Sequence, residues 1–160
     1  MNQRHSTLVP RFDSLEQEVF LGLWRTYDRL RMLEDELFAQ FDLTPQQYNV
    51  LRLLESHQPE GLKTLQLASR LVSRAPDITR MLDKLETRGL IERERRTENR
   101  RVVEVRISQA GSALVNDIAE PLKDCHARQL GHMSPAELKR LAALLQTARK
   151  PHELATSYWK

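Results

Sequence analysis

Four arginines, Arg95, Arg96, Arg100 and Arg101, crowd into one short polar stretch, with only Glu94 and Glu98 to offset them. A guanidinium is a planar, permanently charged fork that suits phosphate oxygens and the electronegative floor of a narrow nucleic-acid groove. Charged strand edges also discourage strand-to-strand aggregation, but that explains one or two charges better than four arginines. A second group lies just upstream: Arg74, Asp77, Thr79, Arg80 and Lys84. Arg80 can fork onto guanine, and Thr79 can touch a base edge or a thymine methyl. Asp77 can accept from cytosine, or only complement the positive end of a helix. The competing reading of all five is a solvated helix face.

The charge distribution favours nucleic acid. Leu62 to Ile107 carries twelve Lys and Arg against seven Asp and Glu, a net of +5. Met1 to Gly61 carries six against ten, and Gln109 to Lys160 seven against five, so the net +3 of the chain hides a basic centre. A clustered positive field, rather than total charge, suits phosphate contact.

These residues need elements to hold them. Thr64 is placed to cap a short helix bearing Leu65, Ala68 and Leu71, and a tight connection through Val72 and Ser73 leads to a helix around 76–88. Ile78, Met81, Leu82 and Leu85 form its inner stripe, and Gly89 its stop. Leu90 to Arg95 and Val102 to Ile107 read as two strands, the second alternating Val103, Val105 and Ile107 with Glu104 and Arg106. The arginine-rich stretch is the tip of that hairpin. This order, two short helices and then a hairpin, is a helix-turn-helix with a wing.

The flanks are helical. Ser14 and Gln17 open a long helix whose apolar face is Leu15, Val19, Leu23, Tyr27, Leu30, Leu33, Leu37 and Phe41. Thr44-Pro45-Gln46-Gln47 starts a second, with Tyr48, Leu51 and Leu54 inward. Ser108 is placed to cap a helix striped by Leu114, Ile118, Leu122 and Cys125. Ser134-Pro135-Ala136-Glu137 starts a last helix, with Leu138, Leu141, Leu145 and Ala148 on its apolar face, and Pro151 breaks it. The expected fold is mainly α with a small β-hairpin: one domain over 13–160, a winged helix-turn-helix lobe at 44–107, a helical dimerisation region at 13–41 and 108–150, and a flexible N-terminus at 1–12.

Other chemistries find little support. There is no Gly-rich phosphate loop, no Ser/His/Asp set and no zinc spacing, so neither an enzyme nor a cofactor or metal site is expected. His5, His57, His126, His132 and His152 have no ligand spacing, and Cys125, on an apolar stripe, reads as a buried hydrophobe rather than a sensor. A single cysteine excludes an intrachain disulfide, and no signal peptide or bilayer-length apolar run is present, so a cytoplasmic location without membrane contact is expected.

The segments DITRMLDKLETRGLIERER and NRRVVEVRIS, together with LTPQQYNVLRLL and MSPAEL, resemble the MarR family of winged-helix transcription regulators along nearly the whole chain. The family's wing pattern is Asp-x-Arg; here it is Asn99-Arg100-Arg101, so Arg101 matches the wing arginine and a neutral amide stands where a carboxylate usually steadies it. Residues 73–77 run about one residue longer than the commonest family version. The resemblance implies a homodimer, a repressor acting on a pseudo-palindromic double-stranded DNA operator, and a small aromatic or lipophilic effector between the lobes. Trp24, Tyr27, Tyr48 and His57 are the candidate liners for that effector, against a reading of plain aromatic core packing. A winged-helix module that binds protein or RNA, without ligand control, is the alternative.

Overall fold

Local capping chemistry sets most helix starts. The computed structural model describes residues 12–73, 77–95, 102–153 and 158. The N-terminal stretch expected to be loose therefore lies, but for Phe12, outside the described residues.

Helix α1 spans Leu15–Ala39, with the Ser14 hydroxyl accepting from the Gln17 amide. The Gln17 side chain closes on the amide of Asp13 rather than Ser14, at 2.7 Å. Helix α2 spans Pro45–Glu55 behind a complete Thr44–Gln47 capping box. Helix α3, Thr64–Arg70, differs from expectation. Thr64 is its first residue rather than its cap, because the Gln66 side chain reaches back to the Lys63 amide at 3.2 Å.

Helix α4, Ile78–Thr87, begins later than the sequence pattern suggests, with Asp77 as its cap. It ends in a left-handed Gly89, φ +68°, where the Leu90 amide donates to the Leu85 carbonyl at 3.0 Å. Helix α5, Gln109–Leu130, starts at Ser108, whose hydroxyl also donates to the Gly89 carbonyl at 2.6 Å. The exit of α4 and the entry of α5 are thus one hydrogen-bonded corner. Helix α6, Pro135–Arg149, has the Ser134–Glu137 capping box, and a single 3-10 turn at Lys150–His152 carries Pro151.

Among the described residues the sheet has three antiparallel strands in the order β1-β3-β2. β2 (Ile91–Arg95) and β3 (Val103–Ile107) make the hairpin, and β1 (Leu62–Lys63) adds a two-residue strand to the other edge of β3. β1 was not expected from the sequence. Ile91 faces Ile107, Arg93 faces Val105 and Arg95 faces Val103. Gly61, at φ +76°, precedes β1, and a Cβ there would meet the Val105 carbonyl oxygen at 2.5 Å. Glu104, read as outward, is buried; its carboxylate meets Arg106 at 3.1 Å, and Arg106 also reaches Glu94 at 2.9 Å.

The core joins Val50, Leu51 and Leu54 of α2 to Leu67, Leu82, Leu85, Ile91, Val105 and Ile118. The long stripe on α1 meets this core only near its C-terminal end. Leu37 and Phe38 are buried, while Leu15, Val19, Phe20, Trp24 and Tyr27 are all more than half exposed. No residue of α6 is buried, and Leu144 stands 58% exposed.

Candidate nucleic-acid interface

Helix α4 divides its residues by periodicity. Leu82 and Leu85 are buried and Ile78 and Met81 half-buried, which turns Thr79, Arg80, Asp83, Lys84 and Thr87 outward. Among the described residues neither Arg80 nor Lys84 has an ion-pair partner, so both present unneutralised charge. Asp77 accepts the Arg80 amide on Oδ1 at 3.1 Å. Its carboxylate thus complements the positive helix end, the second of the two roles open to it. Arg95, exposed, ends β2 at the base of the wing. Arg74, Arg96, Arg100 and Arg101, and with them Asn99, lie outside the described residues.

Several residues that sequence reasoning passed over fix α4 in place. Arg88, at its end, donates to the carbonyls of Asp42 and Phe41, the latter at 3.2 Å, tying the helix to the α1–α2 corner. Arg93 of β2 grips Glu86 through Nε at 2.9 Å and Asp83 through Nη2 at 2.6 Å. That contact holds the Glu86 carboxyl below the ordinary glutamate range, chiefly through the Arg93 hydrogen bond. The signal was present: Arg93 falls in phase with buried Ile91, and a cation on the core side of a strand requires an ionic partner. Ahead of α4, the Asn49 side chain accepts the Val72 amide at 3.1 Å, and Gln46 donates to Ser73 at 3.0 Å.

A cavity of about 550 Å³ opens between α1, α2, α5 and the α3–α4 connection. Tyr27 and Tyr48 line it, with Arg31, Glu34, Phe38 and His126 among the other walls. The other two candidate liners do not reach it. Trp24 stands on the open side of α1, edge-on to Phe20 at 6.3 Å. His57 is engaged elsewhere: Arg70 donates to its Nε2, so Nδ1 carries the proton donated to the Leu53 carbonyl at 2.7 Å. Tyr48 packs on Phe38 with ring centroids 4.9 Å apart, and burial pushes its phenol up, keeping it protonated as a donor. Tyr27 is 63% exposed, too open for plain core packing. His126 and Glu34 meet at 3.4 Å across one wall.

Cys125 is buried, and burial, followed by nearby Glu34, pushes its thiol up, away from the reactive thiolate. Among the described residues no three His, Cys, Asp or Glu are grouped to hold a metal ion. No described helix is long and apolar enough to cross a membrane.

Comparison with known proteins agrees with this geometry. Residues 43–103 match the model of the MarR family. The chain is similar to a MarR transcription factor of known crystal structure from Planctomyces limnophilus: 56% identity, TM-score 0.69, 86% of this chain and 99% of that one. It is also similar to the HTH-type transcriptional repressor MdtR of Bacillus subtilis (strain 168), at 27% identity over 130 residues, 81% of this chain and 83% of the relative. Its fold matches that of a mutant MarR from E. coli complexed with operator DNA, with a TM-score of 0.73, 24% identity, and 84% of this chain and 98% of that one covered.

Proposed function

The chain belongs to the MarR family of DNA-binding transcription regulators, which are not enzymes, and from that premise we propose that it is a homodimeric, ligand-released repressor of a pseudo-palindromic operator. The observation that carries the reading is the outer face of α4, where Arg80 and Lys84 stand exposed without ionic partners among the described residues while the helix is anchored at both ends. α4 enters the major groove; Thr79 and Arg80 read base edges, while Lys84 and Arg74 meet phosphate. The wing arginines Arg95, Arg96, Arg100 and Arg101 reach the adjacent minor groove. Residues 44–107 form the DNA-binding region.

Residues 13–41 and 108–150 form the dimerisation region. The support is the apolar surface that one chain leaves open on α1 and α6, larger than scattered exposed hydrophobics account for. A two-fold pair would set two α4 helices on half-sites one helical turn apart.

The cavity bounded by Tyr27 and Tyr48 takes a small aromatic or lipophilic effector. It touches both the dimerisation helix α1 and the connection into α4, so an occupant that prefers the arrangement unable to bind DNA would release the operator. Fluorescence anisotropy with a labelled duplex from the protein's own promoter region tests the reading. Binding should survive excess unrelated DNA and weaken on titration with salicylate-class acids. Equal competition by unrelated DNA would remove the operator from the account, and binding indifferent to a panel of such acids would remove the effector.

A further inference from the structure

Arg80 and Asp83 are three residues apart on α4, a spacing that brings helical side chains of opposite charge together. Both line one groove between α4 and the α1–α2 corner, with Lys84 and Thr87 on the helix and Asp42, Thr44 and Gln47 opposite. Yet Asp83 does not pair with Arg80. Its Oδ1 accepts from Arg93 at 2.6 Å, and the same guanidinium holds Glu86 at 2.5 and 2.9 Å. Arg93 is well placed to win this competition. It rises from β2 in phase with Ile91, its side chain is only 23% exposed, and its fork engages two carboxylates at once. Arg80 would have to bend along an open helix face to hold one.

We propose that Arg93 is a positioning residue for DNA recognition: it draws Asp83 and Glu86 to the wing side of α4 and so keeps Arg80 free for DNA. The proposal rests on the assignment of Arg80 to DNA. Without Arg93, Asp83 turns to Arg80 and neutralises it, and Glu86 alone is left without its cation. Arg93 spends its own charge on Asp83 and Glu86, and makes no phosphate contact.

The test uses the full-length protein, a labelled duplex from its own promoter region, and the variants R93M, D83N and R93M/D83N, with thermal unfolding followed in parallel. R93M should bind roughly tenfold more weakly, the scale of one lost charged contact. D83N should bind at least as tightly as wild type. R93M/D83N should recover to within about threefold of wild type, with the salt slope of binding unchanged throughout. A double variant as weak as R93M would overturn the proposal in favour of a clamp that serves only the fold. A salt slope lowered by about one ion in R93M, not restored by D83N, would overturn it in favour of direct phosphate contact. If R93M does not fold, R93K takes its place. A lysine can hold Glu86 but cannot fork onto both carboxylates, so the same loss and the same rescue by D83N are expected, and failure of rescue again overturns the proposal. R80A on the same duplex separates the premise from the inference: binding equal to wild type would reject Arg80 as a DNA contact, whatever R93M does.

Discussion

The Asn49 carboxamide oxygen accepts the backbone amide of Val72 at 3.1 Å, so α2 holds the connection that leads into α4. Val72 is exposed, and water can replace the lost acceptor. Asn49→Ala should therefore lower stability by only about 0.5–1.5 kcal/mol. Operator affinity should fall by more than that, because binding must then re-order the connection. Parallel thermal unfolding and DNA titration check this; unchanged affinity would show that the contact does not position α4.

The Arg93–Glu86 contact makes stability depend on pH. Folded Glu86 ionises at a lower pH than unfolded Glu86, so its contribution is complete above the unfolded value and is lost as pH falls through the folded one. Glu86→Gln should leave less acid sensitivity below roughly pH 4 than wild type has. Unfolding midpoints measured across that range are the readout, and parallel curves for the two proteins would contradict the assignment.

Leu51 is fully buried in the core cluster that also holds Leu82 and Leu85 of α4. Leu51→Ala removes its packing and leaves a cavity, at a cost of about 2–5 kcal/mol. Denaturant unfolding should show that loss. A value below about 1 kcal/mol would mean that α2 does not support the helix-turn-helix.

The open faces of α1 and α6 predict a stable pair. Light scattering at low micromolar concentration should give about twice the 18.7 kDa chain mass. Replacing Val19 and Leu23 with glutamate should return the single-chain mass and weaken DNA binding, and a monomeric wild type would remove the two-fold arrangement.

Features governed by neighbours a few residues away were legible in the sequence. Ser14, Thr44, Ser108 and Ser134 cap helices as their spacing implies, and Gly89 stops α4. Thr79, Arg80 and Lys84 could be picked out because they fall off the stripe of Ile78, Met81, Leu82 and Leu85. Features set by docking were not legible. β1 exists only because Leu62 pairs with Val105, far along the chain. Gln129 crosses to the Leu30 carbonyl of α1 at 2.8 Å, a contact no local pattern encodes. Glu104 is buried against the alternation because Arg106 accompanies it. The family resemblance together with aromatic character nominated Trp24 and His57 for the effector, whereas helix rotation and the Arg70 contact decide where their rings go.

Selection of bound duplexes from a random DNA pool, run with wild type and with Arg80→Ala and Arg101→Ala, tests whether α4 reads base sequence and the wing holds the backbone. Wild type should enrich an inverted repeat with half-site centres about 10–10.5 base pairs apart. Arg80→Ala should relax one position in each half-site, at about 1–3 kcal/mol for a bidentate contact, and leave the rest of the motif intact. Arg101→Ala should keep the motif but weaken binding to all sequences and lower the salt slope by roughly one ion per subunit. Enrichment of no motif by wild type, or a motif that Arg80→Ala leaves unchanged at every position, would contradict the account of α4 as the reading helix.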